Sequence, residues 1–319
     1  MQTLVMLALV GFGAQLIDGS LGMGYGVTST SLMLALGLSP VLASATVHMA
    51  QVGTTLASGA AHARFGNVDW RVVWRVGVPG AIGAFAGATF LSRLTTEAAG
   101  PLMALLLFCL GIYVLARFTG RKVKVDRAAR PLRSRFLAPL GLVAGFVDAT
   151  GGGGWGPIGT PTLLASGRMD PRKVVGSIDT SEFLVALSAS AGFLVGLGTA
   201  GIDFAWVLVL LAGGLVAAPI AAYLVRIVPP RMLGAAVGGM ILLTNARTLL
   251  HAEALEAVLP YAWAVYALIV LVWIAALAYA LRGHLTDRRE AAEAALRGAA
   301  EEREGAHEAG PVAELVERR

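Results

Sequence analysis

The sequence predicts an all-α polytopic membrane protein, built as an inverted-topology duplication with two broken, re-entrant helical segments. Three observations predict this fold: an apolar composition, long runs without charge, and one Gly-rich segment that recurs in both halves. The 319 residues are 56% hydrophobic and 14% charged, with a mean hydropathy of +0.72, whereas a soluble domain carries about 25% charged residues. Such a chain is expected in lipid, where a spanning helix needs about 20 mostly apolar residues.

Uncharged runs mark the spanning helices, because a backbone in hydrocarbon must satisfy its hydrogen bonds within the helix. The longest such runs cover residues 98–116, 183–202, 204–225 and 257–281. We predict full helices at 40–62, 69–93 and 96–117 in the first half, and at 171–198, 203–226, 229–250 and 257–282 in the second.

An internal repeat relates the two halves. Residues 11–37 and 141–167 agree at 10 of 27 positions when they are aligned without a gap at an offset of 130. The matches include Asp18 with Asp148, Gly22 with Gly152, Gly24 with Gly154, Gly26 with Gly156 and Thr30 with Thr160. Farther along, His48 falls near Asp179 and Gln51 near Glu182. An acid, a threonine and three spaced glycines in register indicate a duplication.

The first apolar stretch of each repeat is interrupted. Residues 2–17 and 27–38 flank DGSLGMGYG, and residues 136–147 and 158–166 flank DATGGGGWGP. Each piece is too short to cross a bilayer, and each Gly inside a helix costs about 1 kcal/mol relative to Ala. We predict two half-helices around an unwound centre in each repeat, which membranes tolerate only inside protein or along a cavity.

Basic residues set the topology. The loop 117–135 and the start of the tail after Leu281 are rich in arginine, which predicts that both are cytoplasmic. Four full helices fit between them only if 136–166 enters and leaves on the same side, and the N-terminus is then periplasmic. The predicted units are a first membrane repeat (1–117), a basic cytoplasmic loop (118–135), a second repeat with an extra helix (136–282) and a charged cytoplasmic tail (283–319). Oppositely oriented repeats in an inner membrane are typical of secondary transporters.

The paired Gly-rich elements resemble the sulfite exporter TauE/SafE family. The stronger copy is DATGGGGWGPIGTP from Asp148, and the weaker is DGSLGMGYGVTSTS from Asp18. The first copy departs from the pattern, since it has Val27 where the second has Pro157. The resemblance covers residues 1–282 and implies export of sulfite or a related sulfur-containing anion.

We call the unwound centre of each repeat a break. We predict that the two breaks meet at the bilayer midplane and bind a small anion. Half-helix N-termini offer N–H donors and partial positive charge, and glycine permits close approach to the backbone. The predicted substrate-binding residues are Gly22, Gly24, Gly26, Thr30, Gly152, Gly153, Gly154, Trp155, Gly156 and Thr160. The alternative role for these glycines is tight helix packing.

Ionisable residues inside a membrane are costly and therefore indicate function. The predicted coupling residues, which bind protons or a cation, are Asp18, Asp148, Asp179, Glu182, His48 and Gln51. Three alternatives stay open. Asp18 and Asp148 can cap the half-helices that follow them, Asp179 and Glu182 can form interfacial caps or ion pairs, and His48 can serve in packing.

The sequence has no phosphate-binding loop, HExxH or GxSxG motif, so we expect no ATP hydrolysis, no catalytic site, and no metal or other cofactor. The pI of 9.7 reflects the cytoplasmic loops and requires no nucleic acid. The expected partners are the lipid bilayer and a small anionic solute. Three alternative functions stay open: a proton- or cation-linked carrier of an unrelated solute, a membrane-embedded enzyme, and a non-transporting protein whose tail recruits an unknown partner. Assembly into a homo-oligomer also stays open.

Overall fold

The computed structural model describes residues 2–21, 23–119, 132–198, 202–224 and 230–316. These ranges form eleven α-helices and one 3₁₀ helix, without strands. In chain order the helices are α1 (Gln2–Leu21), α2 (Tyr25–Ala35), α3 (Pro40–Arg64), α4 (Trp70–Leu91), α5 (Thr96–Thr119), α6 (Ser134–Gly151), α7 (Trp155–Ala165), α8 (Pro171–Leu197), α9 (Phe204–Leu224), α10 (Pro230–Leu250), the 3₁₀ helix (Glu253–Tyr261) and α11 (Ala262–Val316).

Several helices are suited to cross a membrane, which confirms the predicted all-α polytopic class. Among the described residues, five segments are long and apolar enough: Trp70–Leu91, Thr96–Thr119, Pro171–Leu197, Arg231–Leu250 and Ala257–Glu290. Helix α3 is 25 residues long but does not belong to this set. It carries buried polar side chains, among them His48, Gln51, Thr54 and Thr55. The polar side chains of α3 therefore face the interior of the protein.

The breaks are shorter than predicted. Helix α1 continues to Leu21 and α2 begins at Tyr25, so six of the nine residues of DGSLGMGYG are helical. Helix α6 continues to Gly151 and α7 begins at Trp155, so seven of the ten residues of DATGGGGWGP are helical. The helical cost of glycine is small enough for tertiary packing to override it. The predicted start of the last helix, at residue 257, was also wrong. A 3₁₀ helix that contains Pro260 precedes α11, and α11 itself runs on to Val316.

The described helices repeat in the same order in both halves. Helices α1 and α6 end at residues 21 and 151, and α2 and α7 begin at 25 and 155 and are each 11 residues long. The packing repeats as well, since α1 lies against α9 and α6 against α4. A β-carbon added at Gly11 would overlap the Leu210 carbonyl, and one added at its counterpart Gly141 would overlap the Val76 carbonyl. Small residues at these positions let two helix backbones approach closely. The first helix of each repeat therefore packs closely against a helix of the other repeat.

Candidate functional site

The two breaks lie directly against each other. A β-carbon added at Gly26 would lie 2.8 Å from the Cα of Gly153. The symmetric contact joins Gly156 and Met23, where an added β-carbon would lie 3.0 Å from the Met23 Cβ. The hydroxyl of Thr30 donates a hydrogen bond to the Gly152 carbonyl. The structure thus brings together Gly26, Thr30, Gly152, Gly153 and Gly156 of the predicted residues, and their role in binding stays a prediction.

The backbone at the breaks requires glycine. Gly24, Gly152 and Gly153 have φ angles of 116°, 70° and 156°, which side chains adopt only with strain. At Gly152 an added β-carbon would also overlap the Thr30 side chain. Gly22 lies outside the described residues.

Each break is capped by the acidic residue of its own repeat. The Asp148 Oδ1 atom accepts hydrogen bonds from the backbone N–H groups of Gly154 (2.7 Å) and Trp155 (3.0 Å). The Asp18 Oδ1 atom accepts one from the N–H of Tyr25 (3.2 Å). Both carboxylates therefore make the capping contact that the sequence left open. The N–H donors expected to hold an anion are, in this structure, held by the protein's own carboxylates.

The two aromatic residues at the breaks pack between helices. Trp155 is 1% exposed, and its indole N–H donates to the Ile178 carbonyl at 3.0 Å. Its ring fits against Gly80 of α4, and the ring of Tyr25 fits against Gly214 of α9. Each aromatic ring thus fills the space that a glycine leaves on the facing helix of the other repeat.

The polar residues of α3 meet the second repeat at three levels. His48 Nε2 lies 3.0 Å from Asp148 Oδ2. The Gln51 side chain donates to Glu182 Oε1 at 2.9 Å. Ser58 and Asp179, the third pair, are joined by a 2.7 Å hydrogen bond from hydroxyl to carboxylate.

The four acidic residues share one electrostatic environment. The Glu182 carboxylate interacts with those of Asp18, Asp148 and Asp179, and Asp18 also interacts with Asp179. Asp18 and Glu182 keep some accessible surface, whereas Asp148 is only 1% exposed. All six predicted coupling residues therefore lie in one region.

Sequence reasoning missed four polar residues around this region. Ser58 and His62 both approach Asp179, and His62 Nε2 lies 3.9 Å from its Oδ2. Ser44 donates to the Ala149 carbonyl at 2.8 Å, and Asn245 donates to the Ser31 hydroxyl at 2.9 Å. Ser58 and His62 follow Gln51 by 7 and 11 residues, which is the spacing of one helix face. That spacing was the signal that could have found them.

Several buried polar atoms have no hydrogen-bond partner in the described part of the chain. They include Thr28 Oγ1, Ser29 Oγ, Thr160 Oγ1 and Gln51 Oε1. A buried polar group without a partner costs about 1–3 kcal/mol, so these atoms are candidates to contact a solute. No group of three His, Cys, Asp or Glu side chains in the described ranges is arranged to hold a metal ion.

Comparison with known proteins identifies the family. The profile of the family described as sulfite exporter TauE/SafE matches residues 7–248. The chain is also similar to the "Probable membrane transporter protein YtnM" of Bacillus subtilis (strain 168), with 51% identity over 283 residues, 88% of this chain and 93% of that protein. No solved structure matches the chain. The family and the relative both support a multi-pass membrane transporter, and the chain belongs to the sulfite exporter TauE/SafE family.

Proposed function

We propose that this protein is a secondary transporter of the bacterial inner membrane that exports sulfite or a related small sulfur-containing or organic anion together with protons. The anion binds between the two breaks. The observation that carries the proposal is the set of buried hydroxyls without partners in the first two turns of α2 and α7, namely Thr28, Ser29 and Thr160. They accompany two helix N-termini in contact, where an anion is favoured.

The acidic residues support proton coupling. Four carboxylates that interact with one another would repel an anion if all were ionised. If protons accompany the anion, the charge of the region changes little. Protonation of Asp148 also weakens its hold on the N–H groups of Gly154 and Trp155, because a neutral acceptor bonds less strongly than an ionised one. A proton thus frees N–H donors for the anion.

An arginine-lined cleft supports an anionic substrate. A cleft of about 550 Å³ is lined by Arg133 and Arg135 at the start of α6, and by Thr162, Ser166 and Arg168 at the end of α7. Positive charge in a cleft raises the local concentration of anions. The positive-inside rule places this side in the cytoplasm, which favours collection of the anion there and export to the periplasm.

The test is a flux assay with purified protein in liposomes under an imposed pH gradient. Radiolabelled sulfite, sulfate, acetate and a small sulfonate are compared, with protein-free liposomes as the control. We expect flux of at least one sulfur-containing anion, driven by the gradient. Absence of flux for all four anions overturns the proposal. Flux that requires sodium, and disappears when choline replaces it, supports the alternative of a cation-linked carrier.

Two equivalent threonines separate structural from binding roles. Thr30→Val removes a hydroxyl that bonds the Gly152 carbonyl, so we expect a loss of about 1 kcal/mol of stability. Thr160→Val removes a hydroxyl without a partner in the described structure, so we expect unchanged or higher stability and weaker anion binding. Thermal unfolding in detergent and the KM for anion flux measure the two effects. Equal stability losses in both variants would contradict the assignment.

A further inference from the structure

A chain of polar side chains follows the interface of α3 and α8. We name it the polar ladder, and its members are His62, Ser58, Asp179, Glu182, Gln51, His48 and Asp148. Its contacts are those from His62 to Asp179 (3.9 Å), from Ser58 to Asp179 (2.7 Å), from Gln51 to Glu182 (2.9 Å) and from His48 to Asp148 (3.0 Å). Asp179 and Glu182 are three residues apart on α8 and so lie on one helix face.

The polar ladder is about two thirds as long, measured along α3, as the hydrocarbon core is thick. Residues 48 and 62 are 14 positions apart on one helix, which corresponds to about 21 Å at a rise of about 1.5 Å per residue. The hydrocarbon core is about 30 Å thick. Gln51 lies near the middle of α3 (Pro40–Arg64) and only three residues from His48, so the bond from Gln51 to Glu182 falls toward the His48 end of the ladder.

The two ends of the polar ladder differ in exposure. The His62 side chain is 27% exposed, whereas those of His48 and Asp148 are 0% and 2% exposed. The ladder is therefore open at the His62 end and closed at the His48 end. The open end lies beside Arg64 and the first turn of α8, which carries Arg172 and Lys173; the positive-inside rule makes this the cytoplasmic end.

At the closed end, the contact between His48 and Asp148 requires a shared proton. His48 Nδ1 lies 2.8 Å from the Ser44 carbonyl oxygen, and a carbonyl only accepts, so Nδ1 carries a hydrogen. The contact between His48 Nε2 and Asp148 Oδ2 then needs one further proton, on either the nitrogen or the oxygen. Loss of that proton places a lone pair against a carboxylate, and the contact breaks.

We propose that the polar ladder is a proton path, and that His62 is the residue that exchanges protons with the cytoplasmic side. The inference rests on the proposed function, since it names the route of the coupling proton. His62 takes a proton from water and passes it to the Asp179 carboxylate, and the ring returns to its neutral form. From Asp179 the path continues to Glu182, which lies three residues on along the same face of α8. It ends at the pair of His48 and Asp148, whose carboxylate interacts with that of Glu182.

The surroundings of His62 suit a relay. Asp179 on α8 is the titratable group that the described structure places against it, and Ser58, one turn earlier on α3, holds the same carboxylate. Arg64 lies two residues on, so it projects from the opposite side of α3. His62 Nδ1 has no hydrogen-bond partner among the described residues, so the ring can change its tautomer without breaking a bond.

The test is His62→Ala in liposomes that contain a pH-sensitive dye. We expect anion-driven proton movement to slow by about tenfold or more, with an unchanged KM for the anion, and to recover when millimolar imidazole is added. His251→Ala is the matched control, because His251 is exposed and bonds the Arg247 carbonyl at the end of α10, so it should behave as wild type. Asp179→Asn should lose proton movement without rescue by imidazole.

Two outcomes overturn the inference. One is a wild-type rate of proton movement in His62→Ala, and the other is a slow rate that imidazole does not restore, which indicates a structural role. A wild-type protein whose anion flux ignores the pH gradient is a different failure, because it removes proton coupling from the proposed function itself.

Discussion

Replacing Gly26 with alanine is expected to reduce anion flux by about tenfold or more. Alanine is the better helix former by about 1 kcal/mol, so helix propensity predicts no damage. However, the new β-carbon would lie 2.8 Å from the Gly153 Cα and 3.1 Å from the Gly152 carbonyl oxygen. Both neighbours are backbone atoms that cannot rotate away. The substitution therefore forces the two breaks apart, and initial flux in liposomes measures the result.

Gly13→Ala is the matched control. Gly13 also lies inside a helix, and an added β-carbon there meets nothing within 4 Å. It should keep wild-type flux and equal or higher thermal stability. Wild-type flux in Gly26→Ala would show that transport does not depend on close contact between the breaks.

The sequence was sufficient to predict the register of the breaks. The offset of 130 that aligns Asp18 with Asp148 also relates the ends of α1 and α6 and the starts of α2 and α7. The residue identities that recur at this offset carry the register, and they can be read directly from the sequence. The extent of the second break could not be predicted, because Gly151 remains helical through packing against Leu106 of α5 although glycine is a poor helix former.

The pairing of the site residues could not be predicted either. His48 and Asp148 are 100 positions apart, and no local pattern records which helices become neighbours. The repeat suggests only that His48 and Asp179 are equivalent. The structure adds that one break carboxylate, Asp148, faces a histidine, whereas the other, Asp18, interacts with a second acid, Asp179.

The two break carboxylates, Asp148 and Asp18, therefore have neighbours of different charge. A carboxylate beside an imidazole forms a pair that holds one proton with no net charge. Two carboxylates that interact with each other repel unless one is protonated. Asp148 is the carboxylate that joins a break to a histidine, so a substitution there tests the proposed coupling directly.

Asp148→Asn is expected to make anion flux independent of the pH gradient while the fold is retained. The asparagine Oδ1 can accept from the N–H groups of Gly154 and Trp155, as the carboxylate does. Its Nδ2 can donate to His48 Nε2, because His48 carries its own hydrogen on Nδ1 toward Ser44. Every hydrogen bond is kept and the exchangeable proton is lost. Flux with and without the gradient measures the effect.

Asp148→Ala removes the same proton together with the hydrogen bonds, and this contrast decides what Asp148 does. The loss of the cap costs about 1 kcal/mol, and the unpaired, buried His48 nitrogen costs about 2 kcal/mol more. We therefore expect clear thermal destabilisation in the alanine variant and a smaller loss in the asparagine variant, whose neutral amide oxygen caps less strongly than a carboxylate. If Asp148→Asn is as unstable as Asp148→Ala, the pair with His48 needs its charge to hold the fold. If Asp148→Asn is stable and its flux still follows the pH gradient, the coupling proton lies elsewhere, and the interacting carboxylates Asp18, Asp179 and Glu182 are the positions to test next.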